Sequence, residues 1–281
     1  MNNNLLQVHA KSFYWASFFL SKEVFFKCSS LYNFCRTLDD IVDSLEEIEI
    51  KKKNFSEFKN NFLNKNLDDQ IIKEMWNLID SENILKIVVQ DLFDGVETDL
   101  KDKVKINSKK DLTIYSYRVA GTVGLMMSKI LKVDNREALK GAIDLGIAMQ
   151  FTNIARDVIE DKKRNREYIN HDFLSINEII SDAEVLYDRS FLAIKSIPLR
   201  SRFSVIVARR VYRKIGYYIL KQKNISGYNK AGKIFVPLQG KIIETFLSIL
   251  DFFKLFFIQN SNYTTNEYEI LNQEINLNER I

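Results

Sequence analysis

The fold of this chain is decided by two stretches, residues 32–43 and 150–161, which read YNFCRTLDDIVD and QFTNIARDVIED. At 100° per residue, polar side chains of each stretch fall on one helical face, within arcs of about 60° and about 80°. The first arc holds Tyr32, Arg36, Asp39 and Asp43, and the second holds Gln150, Asn153, Asp157 and Asp161.

Each arc carries aspartates four residues apart, which repel each other by roughly 0.2–0.5 kcal/mol unless something offsets the charge. Taken alone, the first arc is equally typical of an exposed acidic helix end. Cys28, however, lies on that arc, and apolar residues such as Ile147 and Ile154 flank the second arc. Polar groups beside a core are costly unless they satisfy one another or hold a ligand. We therefore expect two helices that face each other across a cavity.

The composition favours helices throughout the chain. Only 9 glycines and 2 prolines occur in 281 residues, and none precedes Gly95. Sheets and barrels need many such turn residues, so we expect an all-α fold with more than about 60% helix and no sheet of note. Breaks in the apolar periodicity place helices at residues 12–20, 22–47, 54–64, 69–79, 81–100, 108–131, 135–161, 175–195, 199–223 and 239–257.

The domain organisation follows from the absence of repeats and Gly/Ser linkers. We expect one domain over residues 1–260, with the charged, aperiodic residues 162–173 as a loop. Residues 261–281 are polar and weakly periodic, which predicts a frayed C-terminal tail, with a short terminal helix as the alternative.

Histidine, cysteine and charge exclude several classes of protein. His9 and His171 are too few for a multi-histidine zinc site. Cys28 and Cys35 lie two turns apart on one predicted helix, beyond disulfide reach, which fits a reducing, cytoplasmic compartment. The net charge of +4 comes from interleaved signs, which indicates a solvated surface and no nucleic-acid partner.

Hydropathy predicts no membrane span and no secretory signal. No apolar run reaches the roughly 18–20 residues that a span needs, and the nearest, residues 246–258, is interrupted by Asp251 and Lys254. The helix at 239–257 nevertheless carries too many large apolar residues for one core-facing stripe. We expect some to stay exposed, at the inner face of a membrane or against a partner, with Lys241 and Lys254 favouring anionic lipid. The alternative is a fully packed terminal helix.

The polar groups of the two arcs form an all-oxygen ligand set. Such a set suits Mg²⁺, with Mn²⁺ as a substitute, and Mg²⁺ commonly shares its coordination sphere with phosphate oxygens. A diphosphate bridged by several metal ions is therefore the expected guest. Cations lie where it would bind: Arg36 and Arg156 in the arcs, then Lys162, Lys163, Arg164 and Arg166, although a charged loop after a helix is commonplace.

The remaining cavity wall should be apolar and aromatic, able to stabilise a carbocation and exclude water. Gly121 and Gly124 permit a close backbone approach or a helix break beside Tyr115 and Tyr117. A dense aromatic segment lies near the start of the chain: Phe13, Tyr14, Trp15, Phe18 and Phe19.

Several strings, in order, resemble the squalene and phytoene synthase family, and the bacterial phytoene synthases most. They are KSFYWAS at 11–17, LYNFCRTLDDIVD at 31–43, YSYRVAGTVG at 115–124, QFTNIARDVIED at 150–161 and REYI at 166–169, within a match that runs from residue 8 to about 240. Ala10 departs from the serine common in relatives, although Ser12 is retained, and the lysine-rich region after Tyr228 matches only loosely.

The resemblance implies a helical isoprenoid-synthase bundle with a central cavity. It implies a Mg²⁺-dependent prenyltransferase that condenses two prenyl diphosphates head to head. Two geranylgeranyl diphosphates giving phytoene via prephytoene diphosphate, in carotenoid biosynthesis, are the first choice. Farnesyl diphosphate giving presqualene diphosphate, dehydrosqualene or squalene is the alternative. No nicotinamide cofactor is expected, and the oligomeric state is open.

The family's site residues carry over by position. Metal and diphosphate ligands match Asp39, Asp43, Asn153, Asp157 and Asp161, the four aspartates also being catalytic together with Tyr115. Substrate-binding positions match Phe13, Tyr32, Arg36, Val123, Gly124, Gln150, Asn153, Arg156 and Tyr168.

Two other readings compete with this one. A head-to-tail prenyltransferase or terpene cyclase would share Asp39-Asp40-x-x-Asp43, but elongating enzymes usually repeat that motif, whereas the second stretch begins with Asn153. An inactive homologue acting as a scaffold would be expected to have lost carboxylates, and none is missing here.

Overall fold

A computed structural model of the chain describes residues 10–258 and 266–281. It confirms the all-α prediction, because the only strands in these ranges are the two-residue Val104–Lys105 (β1) and Arg166–Glu167 (β2), paired in parallel. The helices are α1 Lys11–Ser17, α2 Lys22–Asp43, α3 Ile48–Leu63, α4 Gln70–Glu82, α5 Lys86–Glu97, α6 Lys109–Ser116, α7 Thr122–Ile130, α8 Arg136–Lys163, α9 Phe173–Ala193, α10 Leu199–Leu220, α11 Ile225–Ala231, α12 Leu238–Phe257 and α13 Asn266–Asn272.

The two predicted arcs lie on two of the longest helices, α2 and α8. Side-chain caps fix where these begin, since Ser21 accepts from the Val24 amide and Asn135 accepts from the Ala138 amide. The buried Phe34 ring of α2 packs against Phe62 of α3 and Phe93 of α5 at 5.4 and 5.8 Å between centroids. This aromatic packing turns the opposite side of α2, and its aspartates, towards α8.

Several predicted boundaries were wrong for local reasons. The helix predicted at 22–47 ends at Asp43, where the Ser44 backbone becomes extended. The helix predicted at 81–100 begins at Lys86, because Asn83 adopts a left-handed conformation that ends α4. The prediction missed α11 and the first six residues of α3, which are rich in lysine and glutamate. The loop predicted at 162–173 holds β2, a two-residue pairing that has no periodic signature.

The predicted helix at 108–131 is interrupted by a π-helical turn. Residues Tyr117–Gly121 form this turn between α6 and α7, a geometry often found beside functional sites. Nearby glycines bring α8 against it without side chains. A Cβ on Gly124 would lie 2.3 Å from the Ala142 carbonyl oxygen, and one on Gly146 would lie 2.3 Å from that of Ala120. The spacing between this segment and α8 is therefore set by backbone contact.

The frayed tail predicted for residues 261–281 is wrong where the structure describes it, at 266–281. The chain forms α13 and a final 3-10 turn, Leu277–Glu279, so the alternative of a short terminal helix is correct. Leu271, Ile275 and Leu277 are buried in the main hydrophobic core. Burial of three apolar residues thus orders this segment although its average composition is polar. Residues 259–265 lie outside the described ranges.

An ion pair fastens this segment to the core. Arg280 donates from Nε and Nη2 to the buried Asp91 carboxylate at 2.8 and 3.0 Å, and Tyr117 of the π turn donates to the same carboxylate at 3.0 Å. A paired, buried carboxylate is strongly destabilising once its partner is removed.

We expect Arg280→Met to lower the free energy of unfolding by about 3 kcal/mol, because the Asp91 charge would keep only Tyr117 as a donor. Urea denaturation followed by circular dichroism measures the change. Lys52→Met is the control, since Lys52 pairs with Glu49 at the surface and its loss should leave the midpoint unchanged. Equal midpoints for both variants would contradict a stabilising role of the Arg280–Asp91 ion pair.

Candidate active site

A cavity of about 740 Å³ lies between α2 and α8 and is closed by α1, α7, α9 and α10. Both aspartate helices line it, as predicted from the two arcs. All fourteen predicted site residues border this one cavity: Phe13, Tyr32, Arg36, Asp39, Asp43, Tyr115, Val123, Gly124, Gln150, Asn153, Arg156, Asp157, Asp161 and Tyr168. Ala10 also lines it, whereas Ser12 is not among the lining residues.

The cavity has a charged end and an apolar end. The carboxylates lie near the C-terminal ends of α2 and α8, whereas residues nearer the helix starts, such as Cys28 and Ala138, line the other end. From Ala138 to Asp157 the helical rise is about 28 Å. The cavity can therefore hold a long apolar chain with a charged head group at one end.

One carboxylate of each helix is held by basic side chains. On α2, Asp43 accepts from Arg166 at 2.7 Å and lies 3.6 Å from Arg164. On α8, Asp157 accepts from Nε of its neighbour Arg156 at 2.8 Å and lies 3.4 Å from Lys233. These pairs place cations beside the acids, within reach of an anion in the cavity.

The other aspartate of each arc, Asp39 on α2 and Asp161 on α8, has no ion pair or hydrogen bond within residues 10–258 and 266–281. Asp39 is open to the cavity but surrounded by protein, and this desolvation, reinforced by Asp43, raises its pKa to about 7. Desolvation and the nearby Asp157 raise the pKa of Asp161 to about 7. Arginines lie near both groups (Arg36 near Asp39, Arg166 near Asp161), but none pairs directly with either carboxylate in the described ranges, so a bound cation could.

A third acid, Asp99, lies between the two helices and was not predicted. Tyr168 donates to it at 2.6 Å and Tyr115 at 2.9 Å, and their rings stack at 4.8 Å between centroids. Burial raises the pKa of Asp99, which Arg166, 4.0 Å away, counteracts. Burial also raises the pKa of both tyrosines well above the usual range, so both stay protonated.

Two further residues escaped the sequence analysis. Tyr212 of α10 donates to the Asn153 Oδ1 at 3.2 Å, and Lys233 follows α11. No spacing signal points to either one, nor to Asp99, because each is a single polar residue on an element far away in sequence. Arg166, expected only as one of a basic run, is buried and contacts both Asp43 and Asp99.

Asp40 lies outside the predicted polar face of α2, as its position in the helix requires. It is exposed, is not among the residues that line the cavity, and forms an ion pair with Arg36. The Arg36 Nε is buried and has no hydrogen-bond partner in the described part of the chain. Arg36 as a residue lines the cavity, and a guanidinium there is suited to an anionic ligand.

The donor set tests whether metal ions fit. Within the described ranges, no group of three or more His, Cys, Asp or Glu side chains converges on one point as a metal site. Mg²⁺ typically uses one or two carboxylates and completes its sphere with water and substrate phosphates. The residues present therefore fit shared, substrate-bridged ions and do not form a cage made by the protein alone.

Comparison with known sequences identifies the family. The model for squalene/phytoene synthase matches residues 6–176, more than half of the chain. The chain belongs to the squalene/phytoene synthase family. It is 27% identical over 248 residues to the 15-cis-phytoene synthase of Enterobacter agglomerans, covering 77% of this chain and 84% of that protein. It is 26% identical over 245 residues to the phytoene synthase of Rhodobacter capsulatus, covering 78% and 72%.

Solved structures of this family share the fold. A crystal structure of a dehydrosqualene synthase with a ligand superposes with a TM-score of 0.74 at 24% identity, covering 88% of this chain and 93% of that one. The squalene synthase of Alicyclobacillus acidocaldarius gives 0.66 at 17% identity, covering 80% and 92%. The isoprenoid-synthase fold of this family member is thereby established.

We expect Asp39→Asn to raise the melting temperature of the metal-free protein by a few degrees at pH 8. The folded state holds the Asp39 pKa near 7, above the roughly 3.9 of an unfolded aspartate, so its ionisation destabilises the fold as pH rises through that window. The gain should vanish near pH 4. Calorimetry with EDTA measures it, with Asp40→Asn as the control; an equal gain in both variants would contradict this account.

Proposed function

We propose that this protein condenses two prenyl diphosphates head to head, and that two geranylgeranyl diphosphates giving phytoene through prephytoene diphosphate are its substrates and product. The observation that carries the proposal is the two-ended cavity. Its charged end gathers six acids and five cations, and its other end is apolar. Residues 10–258 supply both ends, which supports their acting as one catalytic unit.

Magnesium is the metal that the donor set favours. Asp39, Asp43, Asn153, Asp157 and Asp161 would hold it together with the diphosphates, and Mn²⁺ would substitute. When bound, it would neutralise the charge that grows on each departing diphosphate. Asp39 and Asp161 are the acids that a bound metal ion would stabilise most, because no basic side chain pairs with them.

The basic side chains would hold the diphosphates during ionisation. Arg36 lines the charged end, while Arg156 and Arg166 are already ordered by Asp157 and Asp43. Fixed cations of this kind stabilise charge where it develops and need no reorganisation during the reaction. As the C–O bond breaks, the electron pair leaves with the diphosphate and an allylic cation remains.

The cavity wall would protect that cation. Tyr115 lines the cavity and stays neutral, with its hydroxyl fixed by Asp99 and Tyr168, so it adds an aromatic ring and no negative charge to the wall. Phe13, Val123 and Gly124 border the same space, where they exclude water that would quench the cation. Tyr32 and Gln150 complete the substrate-facing groups.

The substrate length is tested by incubating purified protein with each diphosphate in detergent and Mg²⁺, with and without reduced nicotinamide. Mass spectrometry of the products should show phytoene from the C20 diphosphate without nicotinamide. Presqualene diphosphate, dehydrosqualene or squalene formed only from the C15 diphosphate would favour the alternative substrate. No condensation with either would reject the proposal.

We expect alanine at Asp39, Asp43, Asp157 or Asp161 to reduce kcat by about 1,000-fold or more, since each removes a group that holds the leaving diphosphate through metal. EDTA should abolish turnover, and Mg²⁺ or Mn²⁺, not Zn²⁺, should restore it. Steady-state kinetics provide the measurement. Asp40→Ala is the matched control and should cost about tenfold at most; if it proved the most damaging of the five, the assigned face would be wrong.

We also propose that the enzyme works in the cytoplasm at a membrane surface. No helix in residues 10–258 or 266–281 is long and apolar enough to cross a bilayer. The proposed product is a hydrocarbon, and moving it from water into lipid gains about 0.8 kcal/mol per CH₂. Release at a membrane would therefore be strongly favoured over release into water.

A further inference from the structure

Helix α12 has the reverse of the usual amphipathic arrangement. The residues it buries include Gly240, Glu244 and Ser248, two of them polar, together with Leu255. Its exposed face carries a stripe of large apolar side chains with helical spacing over about five turns. These side chains are Leu238, Ile242, Ile243, Phe246, Leu247, Ile249, Leu250, Phe253, Phe256 and Phe257. The prediction that some of them stay exposed is confirmed, and a fully packed terminal helix is excluded.

The orientation of α12 is fixed by its polar side. Glu244 and Asp251 turn inward to Arg210 at 3.0 and 2.6 Å, and Trp15 of α1 donates to Thr245 at 2.9 Å. Rotating the helix to bury its phenylalanines would break these bonds and leave buried charges unpaired. The exposed stripe is therefore a stable feature of the fold.

The apolar surface continues onto the turn between α1 and α2. Phe18 and Phe19 are exposed there, and the Phe19 ring packs edge-on against Phe203 at 4.9 Å. Phe203 in turn contacts Phe252 of α12 at 6.2 Å between centroids. We call Phe18, Phe19 and the exposed α12 side chains together the apolar face. A continuous patch of this kind marks an interaction site.

The charges around this face select its partner. Both acids of α12 point inward to Arg210, whereas Lys254 is exposed and Lys241 is half-buried with its ammonium on the Lys11 carbonyl. Lys241 lies beside Lys11, and Lys195 reaches the carbonyl of Ile258 at the end of the helix. Phenylalanines flanked by lysines, with no outward carboxylate on the helix, match an anionic lipid surface.

We propose that the apolar face docks on an anionic bilayer and inserts its phenylalanines below the head groups. This deepens the membrane proposal above and rests on the proposed function only for the identity of the product. A second copy of the chain is the other candidate occupant, but two such faces would bring the same lysines together, whereas anionic lipid neutralises them.

The docked orientation would point the cavity towards lipid. Leu255 of α12 packs in one hydrophobic cluster with Leu131, Val133, Ile194 and Ile197, which also line the apolar end of the cavity. The carboxylates lie at the far end. Prenyl tails and the hydrocarbon product would thus lie next to the bilayer, while diphosphate is released on the aqueous side.

Vesicle flotation without substrate tests the docking. We expect the wild type to float with phosphatidylglycerol vesicles and to bind phosphatidylcholine vesicles about tenfold less, while Phe246→Ser/Phe253→Ser/Phe257→Ser loses about 100-fold in partitioning. Leu174→Ser/Val185→Ser is the matched control, because those side chains on α9 are as exposed, at 69% and 53% against 67% and 57% for Phe246 and Phe253. Lys241→Gln/Lys254→Gln, which leaves the phenylalanines intact, should weaken anionic binding about fivefold per charge.

Several outcomes would overturn the proposal. One is a wild type that stays out of the vesicle fraction; another is binding that is equal in the control and phenylalanine variants. A dimer in light scattering that the phenylalanine substitutions dissociate, without vesicle binding, would assign the face to a second copy. Condensation in detergent micelles should be unchanged in every variant, so a failure of the condensation chemistry is distinguishable from a failure of docking.

A fluorophore reports the orientation. We expect an environment-sensitive dye on Leu250→Cys to shift to the blue when anionic vesicles are added, and the same dye on Leu174→Cys to remain in water. Leu174 lies in the first turn of α9, the helix that follows the carboxylate end of α8. A shift at Leu174 with none at Leu250 would reverse the proposed orientation.

Discussion

The structure depends on one electrostatic constraint, the concentration of acids at one end of the cavity. Six acids and five basic side chains line that end, and the acids Asp43 and Asp161 lie in the last turns of α2 and α8. A helix C-terminus carries partial negative charge, so carboxylates there are doubly disfavoured. The surrounding parts compensate: the basic residues that follow α8, the tyrosine pair on Asp99, and the protons that Asp39 and Asp161 retain to higher pH. The negative charge that these groups do not neutralise gives the site its affinity for a cation and for the anion that accompanies it.

The apolar packing of the molecule holds the two aspartate helices in place. Phe34, Phe62 and Phe93 hold α2 from behind, and the glycines of α7 and α8 hold the opposite wall at backbone distance. The acids therefore lie on a frame whose spacing is set mainly by aromatic packing and by close backbone contacts. This division lets one helical face be dedicated to charge without weakening the core.

The acids of α2 and α8 could be predicted from the sequence because the pattern that reveals them is local. Residues spaced three and four apart on one helix report their shared face directly, and all fourteen predicted positions border the cavity, while their roles stay predictions. Asp99, Tyr212 and Lys233 could not be found that way, since each is brought in by tertiary packing from a distant element. The prediction for the C-terminal tail was wrong for the same reason. Leu271, Ile275 and Leu277 are buried only because distant elements form the core against which they pack. Composition predicted that α12 has too many apolar residues, but which of them turn outward was decided by Arg210, a partner on another helix.

The glycine contacts between α7 and α8 also bear on how such an enzyme could diverge. Because Gly124 lies against the Ala142 backbone and Gly146 against the Ala120 backbone, the two walls can neither approach further nor accept a side chain at these points. Selection for longer or shorter substrates would have little freedom to move the helices. It would act by exchanging side chains at the far end of the cavity, so paralogues of different chain-length preference should retain a nearly invariant frame and vary in a handful of floor residues.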